Sequence, residues 1–83
     1  MQSVRLHPHA PERMEERGAT EEEVRGTVLS GERFAARFGR IGFRRNSAFG
    51  GSWRGRIHAT KQVGALAVDE GGWLVVTVIV RFF

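Results

Sequence analysis

The sequence predicts a single α+β domain in which two N-terminal helices pack on an antiparallel sheet of three to four strands. Three observations carry this expectation. Helix start and stop signals crowd residues 1–31, an alternating hydrophobic pattern takes over in 32–83, and charge divides along the same line. With 83 residues there is room for one domain and a thin core. The chain has no cysteine, so no disulfide or thiolate site can brace it.

The first helix is expected over His9 to Arg17. Pro11 suits its first turn, where a missing N–H does no harm, and Gly18 suits the left-handed residue past its end. The second begins at Ala19-Thr20-Glu21-Glu22-Glu23. Thr20 is a good N-cap, Glu23 completes a capping box, and the glutamates complement the helix dipole. It runs to Leu29 or Ser30 and stops at Gly31, with Val24 and Val28 as its apolar stripe. From Arg33 the period becomes two. Arg33 to Phe38 and Arg40 to Arg45 read as strands, and Asn46 to Ser52, with Gly50-Gly51, reads as a loop. Trp53 to Val68 follows as one long strand or two short ones, with a bulge or bend at Gly64. Asp69-Glu70-Gly71-Gly72 is a hairpin turn. The final run, Trp73 to Phe83, is apolar on both faces, as in a central strand covered on both sides. The helices are expected on one face of the sheet, with Met14, Val24 and Val28 against alternate valines.

The net charge is +4, and its distribution says more than its size. Seven glutamates lie from Glu12 to Glu32. Between Glu32 and Asp69 lie Arg33, Arg37, Arg40, Arg44, Arg45, Arg54, Arg56 and Lys61, with no acid among them. Arginine outnumbers lysine twelve to one. Its planar fork pairs two-pronged with phosphate, so a polyanion such as RNA is the expected partner. A genome rich in arginine codons would give the same bias on a solvated face. The longest apolar run, Trp73 to Val80, is far short of the roughly 20 residues that cross a bilayer. With no apolar leader in Met1 to Ala10, the expectation is a cytoplasmic protein without membrane contact.

His9, Arg13 and Arg17 recur at steps of four and share one helix face, able to hold a phosphate and supply a proton acceptor. The plainer alternative is a solvated face with the arginines paired to Glu12, Glu16 or Glu21. Lys61 is the only lysine and falls in a strand, where a desolvated amine can act as an acid or charge stabiliser, or simply as a strand-edge charge. Thr77 interrupts the most apolar strand, with Arg81 four residues on. Phe34, Phe38, Phe43, Phe49 and Trp53 lie among arginines, a pattern that can clamp single-stranded RNA and that core strands also produce. Trp53, Arg17, Arg44, Arg45, Arg54 and Arg56 form the expected phosphate-binding set. His7 and His9 flank a proline with no Asp, Glu or Cys at ligand spacing, so no metal is expected. Gly50-Gly51-Ser52 lacks the lysine and helix of a phosphate-binding P-loop, and no cofactor is implied.

His9-Ala10-Pro11-Glu12-Arg13-Met14-Glu15-Glu16-Arg17-Gly18, then Thr20-Glu21-Glu22-Glu23-Val24, resembles the opening of the DUF4258 family. Lys61-Gln62-Val63, an acidic-glycine turn and Trp73-Leu74-Val75-Val76-Thr77-Val78 follow in the family's order. The resemblance implies a fold similar to the RelE and BrnT toxins, within the group that includes barnase-like and colicin-like ribonucleases: N-terminal helices against a curved antiparallel sheet. It carries function onto His9, Arg13 and Arg17, Lys61, and Thr77 with Arg81. Relatives often carry a tyrosine near the Ile79 position, and this chain has none. The activity implied is metal-free RNA cleavage of toxin type. His9 or Lys61 would be the base for 2′-OH attack, and Arg13, Arg17 and Arg81 would stabilise the phosphoryl oxygens. The alternative is a non-catalytic module that binds nucleic acid or an antitoxin protein. A homodimer paired through the apolar last strand is a third expectation, with Phe82-Phe83 buried against a partner.

Overall fold

Seven elements appear in the computed structural model, which describes residues 3–83. They are β1 (Val4–Leu6), α1 (Ala10–Arg17), α2 (Glu21–Ser30), β2 (Glu32–Ala35), β3 (Ile41–Trp53), β4 (Arg56–Asp69) and β5 (Trp73–Phe82). The helices start and stop where their capping chemistry lies. Gly18 closes α1 at φ 78°, its N–H donating to the Glu15 and Met14 carbonyls. Thr20 Oγ1 accepts from the Glu23 N–H at 3.1 Å, and Glu23 Oε1 accepts from the Thr20 N–H at 2.9 Å, a complete capping box.

The sheet corrects the sequence expectation. It has five strands, not three or four, in the order β1-β5-β4-β3-β2, and it is mixed rather than antiparallel. The unexpected strand is β1, which pairs parallel with β5 from Val4↔Trp73 to Leu6↔Val75. Three residues are too few to show a period, and their partner lies at the far end of the chain. A strand therefore lies within the 1–31 segment read as helical.

The boundaries inside the sheet also move. Residues 46–52, expected to be a loop, continue β3; the ladder skips from Ala48↔Thr60 to Gly51↔His58, so Phe49 and Gly50 form a bulge opposite Ala59 while Gly51 stays paired. Trp53 ends β3 rather than starting the next strand. The chain turns at Arg54 (φ 51°) and Gly55 (φ 81°), which take the two left-handed positions of a tight hairpin. An arginine at the first of these gives no turn signal in sequence. Gly64 is unbulged, opposite Arg44 and Ile79. The irregularity falls instead at Val76, between the pairs Leu66↔Thr77 and Ala67↔Val75. β2 ends at Ala35, short of the expected Phe38, and residues 36–40 form a turn with Phe38 at φ 61° and Gly39 at φ 70°.

Both helices contribute to one core against one face of the sheet. Val24, Val75, Val78, Ala65 and Ala67 are fully buried there, with Met14, Val28, Val63, Phe43 and Trp73 around them. The small Ala65 and Ala67 on β4 let a helix approach closely. Leu66, Val68, Leu74 and Thr77 alternate to the opposite face, are only half-buried, and have no helix over them. The apolar β5 run is thus covered on one side only, and Ile79 is 45% exposed. α1 lies along β5, where Arg17 Nη1 donates to the Val78 carbonyl. Among the described residues no helix is long and apolar enough to cross a membrane.

Candidate functional site

A polar constellation gathers where β1 hands over to α1. The His7 N–H extends the parallel ladder by donating to the Val75 carbonyl at 2.9 Å. The chain then turns through Pro8 into α1, with the Ala10 N–H donating to the His7 carbonyl at 2.8 Å. His7 Nδ1 accepts the His9 N–H at 3.2 Å, so in the neutral ring the proton sits on Nε2. The two imidazoles stack at 5.2 Å with a 29° tilt. Arg13 follows His9 one helical turn on. On β5 the bulge carries Thr77 to the face away from the helices.

His7, His9, Arg13, Arg40, Val76 and Thr77 line one open groove of about 370 Å³. Arg40 reaches it from the β2–β3 turn, on the far side of β4. None of the lining residues is a carboxylate. Glu12 and Glu16 line a neighbouring depression with His9 and Arg13. The ion pairs among the described residues are Arg25–Glu21, Arg44–Glu32 and Lys61–Glu23, and they leave Arg13 and Arg40 uncommitted.

Three residues nominated by sequence therefore converge: His9, Arg13 and Thr77. His7 and Arg40 join them without having been nominated. His7 carried a signal in its spacing to His9 across Pro8, whereas Arg40 was one of many arginines and only the topology selects it.

Lys61 lies elsewhere. It is 7% exposed on the helix-covered face, where Nζ donates to the Gly18 carbonyl and, at 2.8 Å, to Glu23 Oε1. Its ammonium is 5.7 Å from the Phe82 ring centroid. It thereby joins the end of α1 to the first turn of α2, with no free amine for a substrate. Burial pushes the Glu23 carboxyl up, but Lys61 and the Thr20 hydrogen bonds outweigh burial and hold it below its ordinary value.

The other nominated residues scatter. Arg17, Trp53 and Arg54 line a separate depression with Ile79 and Val80. There Arg54 donates to the Glu16 carbonyl at 3.2 Å and lies over the Trp53 ring at 5.5 Å. Arg17 thus leaves the set it forms with His9 and Arg13 by spacing. Arg44 pairs with Glu32 at 2.8 Å and covers Phe34 at 5.0 Å; its hydrogen bond and charge hold the Glu32 carboxyl below its ordinary value. Arg45 lines depressions between β3 and α2. Arg56 is exposed beside the hairpin tip, and Arg81 is exposed on β5 opposite Gln62. Among the described residues no three His, Asp or Glu side chains gather as a metal set.

The groove thus offers two imidazoles, two guanidinium groups and a hydroxyl, a donor-rich surface for a phosphate. No family model matches the chain, and neither a curated protein nor a solved structure matches it significantly.

Proposed function

We propose that the groove binds an RNA phosphate and cleaves the chain without a metal, as a toxin-type endoribonuclease. The supporting observation is the convergence of His9, Arg13, Thr77, His7 and Arg40 on one groove with no carboxylate in its lining. His9, exposed and on the groove wall, takes the proton from the ribose 2′-OH. The 2′-oxygen attacks the adjacent phosphorus, the bond to the 5′-oxygen breaks, and that oxygen takes a proton from water in the open groove. The products are a 2′,3′-cyclic phosphate and a 5′-hydroxyl. Arg13 and Arg40 hold the phosphoryl oxygens as charge builds, with the His7 Nε2–H and the Thr77 hydroxyl as neutral donors. Lys61 has no part in this scheme.

Purified protein incubated with total RNA in a chelating buffer tests it. His9→Ala is expected to slow cleavage by about 10²–10⁴-fold, the usual worth of a general base, while Glu22→Gln cleaves as wild type. No cleavage by wild type, or equal cleavage by His9→Ala, sinks the catalytic reading. A second reading, a module that binds nucleic acid or an acidic antitoxin without cutting, draws support from the exposed Arg37, Arg45, Arg56 and Arg81, which lie outside the groove. RNA retention without cleavage in the same assay selects it.

A further inference from the structure

Most aromatic rings in this molecule are committed to internal contacts. Phe43 meets Trp73 edge-on at 5.2 Å. Phe49 and Trp53 each pack on Phe82 at 5.0 Å. The Phe34 ring lies over Gly42, so close that a Cβ there would fall 2.3 Å from it. Phe38 is different. It is 88% exposed and has no ring partner among the described residues. It also stands at φ 61°, a conformation uncommon for a bulky side chain.

The turn that holds it is well tied. The Ala36 N–H donates to the Arg40 carbonyl at 3.1 Å, and the Arg40 N–H to the Arg37 carbonyl at 3.2 Å. Phe38 is thus fixed two residues from Arg40, which lines the groove, so the two Cα atoms lie within about 7 Å. Non-glycine residues held in such sparsely populated backbone conformations cluster at active sites and ligand clamps. Every base has a π-face, so an exposed ring beside a phosphate site suits single-stranded nucleic acid. The other strongly exposed apolar residue near a turn, Ile57 at 84%, has no ring and sits at the hairpin tip, at the opposite end of β4.

We infer that Phe38 is a stacking platform for an RNA base whose neighbouring phosphate occupies the groove. This rests on the functional reading above and deepens it: the ligand is a single-stranded oligonucleotide, not free phosphate. The test uses a fluorescein-labelled 2′-O-methyl oligoribonucleotide, which lacks the attacking hydroxyl, followed by anisotropy. Inorganic phosphate, followed by the imidazole resonances of His7 and His9, is the second probe. Phe38→Gly relieves the backbone and is expected to melt no lower than wild type. It is expected to bind the oligonucleotide about 5- to 100-fold more weakly, leave the phosphate response unchanged, and be matched by Phe38→Trp binding as wild type. Wild-type oligonucleotide affinity in Phe38→Gly overturns the inference. So does an equal loss of phosphate response, since the ring would then be supporting the groove. If Arg13→Ala and Arg40→Ala leave oligonucleotide binding intact, the functional reading falls separately. If wild type binds no oligonucleotide, both fall.

Discussion

Lys61 is one of only two buried polar or charged residues among those described, and its ammonium's partners explain why. Its ammonium satisfies the Gly18 carbonyl at the end of α1 and the Glu23 carboxylate in the first turn of α2. Lys61→Met keeps the bulk and removes both bonds, at an expected cost of about 1–3 kcal/mol in urea unfolding. Glu23 titrates lower in the folded chain than its ordinary 4.5. Its contribution is therefore complete above 4.5 and fades as pH falls through the lower folded value. Lys61→Met is expected to flatten that acid-side loss; unchanged acid sensitivity would contradict the assignment. The residue scale is also where sequence misled most. Its being the only lysine was visible, but a lone lysine reads the same whether it faces a substrate or a carbonyl. Only the strand register decides, by pairing Lys61 with Phe82 on the helix-covered face.

Elements whose signals are local were legible, and elements defined by distant partners were not. Thr20, Glu23, Gly18 and the turn after Asp69 each carry their chemistry within four residues, and the structure places them as read. β1 has no such signal, because three residues acquire their strand character from Trp73 to Val75. The Arg54-Gly55 turn hid behind an arginine in a left-handed position, and the bulge at Val76 behind unbroken valines. Thr77 reached the candidate groove through that bulge, so its place there came from a feature the sequence does not mark. The capping box offers a check at this scale. Thr20→Ala is expected to cost about 1 kcal/mol. Glu23 serves both Thr20 and Lys61, so the double variant Thr20→Ala/Lys61→Met should depart from additivity by more than about 0.5 kcal/mol. Simple additivity in urea unfolding would show the two contacts to be independent.

Across the whole molecule, the division of charge gains a spatial meaning. Acids and arginines do not separate cleanly onto helices and sheet: Arg25, Arg44 and Lys61 are spent on Glu21, Glu32 and Glu23. Arg17 and Arg54 are spent on backbone carbonyls, whereas Arg13 and Arg40 meet two histidines in one groove. Oligonucleotide affinity is therefore expected to fall with salt, and each of Arg13→Ala and Arg40→Ala to lower the slope of log affinity against log salt by about 1. A slope unchanged by either substitution would place the phosphate contacts elsewhere. The parallel pairing of β1 with β5 has a last consequence, for the order of events during synthesis. His7 is positioned by a carbonyl of Val75, so the histidine pair takes its place only after β5 has emerged and folded back. A ribosome-bound chain carries every groove residue up to Arg40 without holding them together. The proposed groove is therefore assembled only once β5 has paired with β1.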